Sequence, residues 1–306
     1  MGAHRQFDLL AACLLGMTIA AGPLRADTIA VKPAADTTLF ETTPDGNLGR
    51  VTTVVAGTTA KGKRSRALLR FDFAGKIPDG STVTQVQLTL KLIDVPQGGG
   101  VGSTFGLRRM LRSWGEGAKT AGTGAPASPG EATWKMSFAP DTPWTVPGAS
   151  SPTDFVATDS VSTFVQGGGT YTFASATNFV ADVQFWLDHP TNNFGWIIIS
   201  HSESTMKTAR RFGSRENSGS APALTVVFTP PVLPRIDRLE RVQDDLKLYF
   251  TAEAGKSYAV ELRDSLGVGG WVNLTNISPP VIATNVIVTD PIANRPQRFY
   301  RLELLP

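Results

Sequence analysis

The sequence predicts an all-β protein: a jelly-roll β-sandwich with one short helix, followed by a small second β domain. Three observations carry this. Apolar residues alternate strictly with polar ones in several short runs, the period of a strand with one face buried. Thirty glycines and 21 prolines, against 18% charged residues, supply many turns and few long exposed helices. Only residues 178–188 show helical spacing of apolar side chains.

Thr28-Ile-Ala-Val31 opens the first strand, Pro44 to Gly49 forms a turn cluster, and Val51 to Val55 continues in β-branched residues. In Arg66 to Phe73, residues Ala67, Leu69, Phe71 and Phe73 share one face, while Arg66, Leu68, Arg70 and Asp72 share the other. That pattern predicts a strand with one face toward the core and one toward solvent. After the turn Ile77-Pro-Asp-Gly80, the run Val83 to Leu92 places Val86, Leu88, Leu90 and Leu92 opposite Gln85, Gln87, Thr89 and Lys91. Gly98-Gly-Gly100 closes it. Residues 117–130, rich in Gly, Ala, Pro and Ser and without an apolar period, read as a mobile insertion. Phe179, Val180, Val183, Trp186 and Leu187 mark a helix over Asn178–Asp188, ended by His189-Pro190. Gly195 to Ile199 reads as a central strand, and Leu224, Val226 and Phe228 alternate in the last strand of this module. Repeated strands with one small helix point to two sheets packed face to face.

Residues 1–26 read as a signal peptide. His4-Arg5 precedes an apolar run from Leu9 to Gly22, too short for a usual membrane span. Cys13 lies within it, so the mature chain carries no cysteine and no disulfide. Leu10-Ala-Ala-Cys13 has the look of a lipoprotein processing site, but little apolar core precedes it. The expected destination is secreted or cell-surface, with membrane contact only through the transient signal. Residues 27–229 form the first module, and 230–235 a stiff proline-rich linker. Residues 236–306 form a fibronectin-like accessory domain with strands at Leu246 to Phe250, Ser257 to Leu262 and Arg298 to Leu302. Asn273-Leu-Thr275 and Asn276-Ile-Ser278 match the glycosylation pattern.

The formal charge is +3 and not evenly spread, with 18 basic against 16 acidic residues over 27–233 and nine of each beyond. No global field favours nucleic acid. With two mature histidines and no mature cysteine, a cysteine or poly-histidine zinc site is excluded. No phosphate loop, dinucleotide glycine motif or Gly-x-Ser-x-Gly elbow occurs.

Several segments together resemble the secreted bacterial DNRLRE-type domain: Arg66-Ala-Leu-Leu-Arg-Phe-Asp72, Ser113-Trp-Gly-Glu116, Thr133-Trp134, Phe212-Gly-Ser-Arg-Glu216 and Pro222-Ala-Leu-Thr-Val226. The likeness covers about residues 27–229. Some members of that family are carbohydrate-binding modules for anionic polysaccharide, so the resemblance implies a non-catalytic polysaccharide binder, with the glycan acidic. The last domain is similar to small C-terminal β domains of secreted bacterial proteins, notably in Ala254-Gly-Lys-Ser-Tyr258 and the final Arg-Phe-Tyr-Arg-Leu.

Within that reading, Arg66, Arg70, Arg108 and Arg215 are candidates for an arginine-rich face, since the guanidinium fork matches carboxylate and sulfate. Trp114 and Trp134 are candidates for stacking on sugars. The competing assignment makes the arginines partners of Asp72 and Glu216 and the tryptophans caps of the core. No cofactor is expected. Structural calcium is left open by Asp27, Asp36, Glu41 and Asp45, although no dense Asp-x-Asp-x-Asp-Gly loop is present. Two further functions stay open: a structural or adhesive surface protein without a sugar ligand, and an enzyme acting on acidic polysaccharide, for which the 16 carboxylates of the first module supply raw material. Secreted material should show an intact mass lacking 26 residues; a retained, acylated Cys13 would identify a lipoprotein instead.

Overall fold

A computed structural model describes residues 25–96, 100–231, 233–267, 269–293, 295 and 297–305. The signal-peptide core, Cys13 and Gly98-Gly99 lie outside the described residues. The chain forms two compact units that divide between Pro230 and Pro231. Both are all-β, and α1 of the first unit is the one α-helix among the described residues. No described helix is long and apolar enough to cross a membrane.

Eleven strands of the first unit belong to one antiparallel pairing path that doubles back on itself. One half holds β1 (Asp27–Val31), β3 (Thr53–Thr58), β5 (Thr82–Asp94), β8 (Gly169–Phe173), β10 (Arg210–Gly213) and β11 (Ala223–Thr229). The other holds β2 (Pro33–Phe40), β4 (Arg64–Phe71), β6 (Ser103–Arg109), β7 (Val161–Val165) and β9 (Trp196–Ser200). The β3–β4 hairpin joins the halves through Gly57 opposite Ser65. Between them lies the main core. It takes the inward residues of each strand, among them Ala67, Leu69 and Phe71 of β4, Val86, Leu88, Leu90 and Leu92 of β5, and Leu224, Val226 and Phe228 of β11. The alternation expected for 83–92 holds along β5.

The helix α1 spans Thr177–Asp188 and adds Phe179, Val183 and Trp186 to this core. Trp186 and Phe179 pack on Trp196 at centroid distances of 4.5 and 4.9 Å. Asp182 on the same helix face is buried. It accepts hydrogen bonds from the Trp196 indole at 2.8 Å and from the Ser160 hydroxyl, and it pairs with Arg109 at 2.9 Å. These partners satisfy a carboxylate that would otherwise be costly to bury.

The expectation that the Arg66–Arg70 face of β4 meets solvent is corrected. A second core covers that side of the sheet. Ala35, Leu39, Leu68, Ile197 and Ile199 of β2, β4 and β9 pack there against Met110, Trp114, Ala132, Trp134, Trp144, Ala149 and Phe155. The covering layer, residues 110–155, has little regular structure, so its backbone polar groups need other partners. Three buried polar side chains supply them. Asn47 donates to the carbonyls of Glu116 and Ala132 at 2.8 and 2.9 Å and accepts from the Gly49 amide. Glu131 accepts from the amides of Ala118 and Ser128 at 2.9 and 2.7 Å. Asp154 accepts from the amides of Thr145 and Ser150 and pairs with Arg112. Ala125–Pro126 also pairs with Gly46–Asn47. The stretch 117–130, read from sequence as a mobile insertion, is thus fastened at several points.

The second unit packs two three-stranded antiparallel sheets. One holds β12 (Arg238–Val242), β13 (Asp245–Ala252) and β16 (Thr284–Pro291), and the other β14 (Ser257–Arg263), β15 (Val272–Ile277) and β17 (Phe299–Leu305). Its core is small: Leu248, Phe250, Ala252, Tyr258, Val260 and Val288. Asp290 is buried at its edge and is held by the Tyr300 hydroxyl and Arg298, both at 2.6 Å. Limited proteolysis should cut within 230–234 first and leave 117–130 intact. A protease that nicks 117–130 ahead of the linker would show that the bonds of Asn47 and Glu131 do not hold that layer in solution.

Candidate functional site

The strands β4, β6 and β9 end at one edge of the sheet. There the loop after β9 and the segment 149–159 leave an open hollow of about 640 Å³. Its lining includes Arg66, Arg108, Phe155, Asp159, His201 and Glu203. Gly106 of β6 makes room for one of these groups, since a Cβ there would collide with the Asp159 carboxylate.

Two networks of polar side chains line the hollow. In the first, Asp159 accepts from Arg108 Nε at 2.8 Å and stands 2.6 Å from His201 Nε2. An ionised carboxylate only accepts, so His201 carries its proton on Nε2. The Arg108 guanidinium lies 5.9 Å from the Phe155 ring centroid, and Nε is its hydrogen-bonding atom within the described chain. Nη1 and Nη2 remain without a described protein partner. In the second network, Arg66 forks onto Glu203, with Nε to Oε1 at 2.8 Å and Nη2 to Oε2 at 2.6 Å. Its Nη1 donates to the carbonyls of Gly148 and Ala149 at 2.9 and 2.8 Å. Arg66 is therefore saturated and fixed, whereas Arg108 is fixed at one end and open at the other.

Arg66 and Arg108 are the two expected ligand residues that the hollow brings together. Arg70 lies elsewhere, its guanidinium 5.8 Å from the Trp114 ring. Arg215 is held in a third cluster, with Glu116 at 2.5 Å and Glu216 at 3.0 Å. An arginine-rich binding face made of Arg66, Arg70, Arg108 and Arg215 is therefore not formed, because most of these cations already meet carboxylates. The assignment of Trp114 and Trp134 as sugar-stacking residues is also corrected. Each is 3% exposed and belongs to the second core. The Trp114 indole donates to the Phe194 carbonyl at 2.8 Å, and the Trp134 ring carries Arg64 and Arg66 at 5.1 and 5.8 Å.

Sequence reasoning missed His201, Asp159 and Glu203. In the sequence His201 stands out only as a histidine following an apolar strand, and neither acid belongs to a local motif.

 The pairs concerned are Asp159 with His201, 42 residues apart, and Arg66 with Glu203, 137 apart, separations that no local motif marks. No family model matches the chain, and no curated protein matches it.

The calcium expectation finds no set of ligands. Asp36 accepts from the Arg215 amide at 2.7 Å, Glu41 pairs with Arg64, and Asp45 pairs with Lys135. Among the described residues, no three His, Cys, Asp or Glu side chains gather to hold a metal ion.

The third cluster has its own electrostatics. Glu116 and Glu216 pair with the guanidinium of Arg215, while Asp36 accepts from the Arg215 amide and is 1% exposed. Burial, with Glu216 and Glu116 adding repulsion, pushes Asp36 up to about 8 despite the Arg215 amide. Burial also raises Glu116 and Asp182 above the ordinary carboxylate range. An unfolded aspartate titrates near ~3.9. Between about pH 4 and about pH 8 the folded chain then holds a proton that the unfolded chain has lost. The stability linked to Asp36 is complete below that window and declines as pH rises through it, by up to ~1.4 kcal/mol per pH unit. Asp36→Asn cannot ionise and should flatten the decline in denaturant midpoint between pH 5 and 8. A variant that keeps the full wild-type decline would place the titration on another group.

Proposed function

We propose that the first unit is a polysaccharide-binding module and that the hollow beside β9 takes an acidic sugar, a uronate residue within a longer chain. The observation that carries this is Arg108. Asp159 fixes its Nε, while Nη1 and Nη2 have no described protein partner in an open hollow large enough for a sugar ring. Two parallel N–H groups match the two oxygens of a carboxylate. The hydroxyls of Ser150, Ser151 and Thr158 and the half-exposed His201 ring add hydrogen-bonding groups to the same wall, and Phe155 and Ile199 add an apolar floor. The resemblance of residues 27–229 to DNRLRE-type domains supports the same ligand class. Secretion, expected from residues 1–26, fits a polymer found outside cells.

The charges of the hollow nearly balance, with Arg66 and Arg108 against Asp159 and Glu203. Recognition on this reading depends on oriented donors more than on a long-range field, so salt should weaken it only modestly. A second reading is favoured by a specific observation: Arg66 and Arg215 both pair with carboxylates, as in a structural β-sandwich whose arginines bind neighbouring segments together.

Arg108→Ala separates the two. His201 still partners Asp159 in that variant, so the thermal midpoint should stay close to wild type. Retention on a polyuronate affinity gel should fall by about 10- to 100-fold, the usual range for a hydrogen bond to a charged group. Arg66→Ala should instead lower the midpoint, because Glu203 and two carbonyls lose their donors. Failure of the wild-type protein to bind any polyuronate or sulfated polymer would remove the binding reading and leave the structural one. Release of shortened products from the polymer would make the protein an enzyme.

A further inference from the structure

We infer that the second unit carries a separate glycan-binding surface, a flat platform centred on Trp271 that fits a neutral, hydroxyl-rich polysaccharide. The inference shares with the preceding reading only the class of ligand, and it uses different residues and a different probe.

The starting point is the distribution of tryptophan. Five of the six, at 114, 134, 144, 186 and 196, are at most 3% exposed and belong to the two cores of the first unit. Trp271 is the exception. It is half-buried and belongs to no core cluster. Its ring lies 5.3 Å from the Arg263 guanidinium and 4.8 Å from that of Arg301.

Strand register places these residues on the outer face of the β15-β14-β17 sheet. Tyr258 and Val260 of β14 point into the core, so Ala259, Glu261 and Arg263 point outward. Across the sheet, Asn276, Ala259 and Glu303 form one row, and Asn273, Glu261 and Arg301 form the next. Arg263 and Phe299 face each other in the third row, where Trp271 joins them. The result is a half-buried indole with two guanidinium groups over its ring, beside two carboxylates and two amides on the outer strand surface.

These groups are held in place by one another. Arg301 donates to Glu261 at 2.5 Å and to Glu303 at 3.3 Å. Asn273 donates to Asn276 at 2.6 Å. Arg263 donates to the carbonyls of Ser265, Leu266 and Gly269, which fixes the turn leading to Trp271. The ring is therefore oriented before any ligand arrives, which reduces the ordering cost of binding.

The pairing of these groups bears on the ligand. Arg301 is bonded to Glu261 and Glu303, and Arg263 to three carbonyls, so both guanidinium groups are more fully engaged than that of Arg108 and the face carries no excess of either charge. A neutral sugar chain meets donors and acceptors in alternation, and its C–H faces suit an indole. Such a chain can lie along a flat sheet face that has no enclosing cleft.

The test uses the full chain and two neutral probes, microcrystalline cellulose and an insoluble xylan. Wild type should be retained by at least one, and a soluble oligosaccharide of that polymer should shift its tryptophan emission. Trp271→Ala should lose at least 10-fold in retention and lose the emission shift, while binding polyuronate like wild type. Trp271→Tyr should restore much of the retention, and Asn273→Ala, which removes no core atom, should weaken it. Arg108→Ala should leave cellulose or xylan binding unchanged. The inference is overturned if wild type binds neither neutral polymer, or if binding survives Trp271→Ala. If Trp271→Ala unfolds the second unit, Asn273→Ala and Trp271→Tyr decide: wild-type retention in the first, or none in the second despite a normal melting profile, overturns it.

Discussion

The strand β9 is the constraint on which the first unit depends. All five of its residues are buried, and its alternation feeds two different cores. Trp196 and Ile198 face the sandwich interior, while Ile197 and Ile199 face the layer of residues 110–155. A strand with both faces covered cannot slip by one residue without exchanging an indole for isoleucine on one side and a buried Trp–Asp hydrogen bond for none. The Trp196–Asp182 bond therefore sets the register of β9, and β9 sets that of β4 and β6 on either side. The end of β9 then determines where His201 and Glu203 emerge. The hollow follows from the register.

Burying the second face of a sheet under an irregular layer creates a polar problem, and the acids of the chain solve it. Asn47, Glu131 and Asp154 take backbone amides that no strand or helix would satisfy. Glu203, Glu116 and Asp159 take the guanidinium groups of Arg66, Arg215 and Arg108 on the sheet side. Arginine suits this place because its planar head can bond a carboxylate, lie on an indole and reach a carbonyl at once. Arg66 does all three. Its abundance here reflects the second core more than a charged outer face, since Arg66, Arg108 and Arg215 each meet a carboxylate.

Much of the fold was legible because alternation is a local signal. The strand at 83–92, the helix near 178–188 and the buried run at 195–199 follow from period alone. What the sequence did not disclose is which polar-looking faces are covered. Leu68 between Arg66 and Arg70 was the available hint of a second core, together with the unusual number of tryptophans in 114–144. The composition of 117–130 suggested mobility because side chains that fix it, such as Asn47, lie far away in sequence. The site was less legible still. Arg66 and Arg108 were found from residue type, but Asp159, His201 and Glu203 are brought to them by pairing between distant strands. Nothing local in the sequence marks Trp271 off from a core tryptophan; its contacts with Arg263 and Arg301 place it on the outer face.

The two units show opposite uses of the same residues. In the first, tryptophan is interior and arginine holds the interior's rim, as Arg66 does through Glu203 and Arg108 through Asp159. In the second, six strands enclose a core too small to take a further indole, and Trp271 stays at the surface with arginines beside it. Size accounts for the difference. A domain of about 70 residues buries a smaller share of its surface than one of about 200. Large aromatic side chains in it are more often left partly outside, where neighbouring charges can orient them. The same scarcity of interior leaves the second unit dependent on polar ties such as Asp290 with Arg298 and Tyr300. A surface indole there follows from the domain's size, and the bonds of Arg263 and Arg301 hold its surroundings in place.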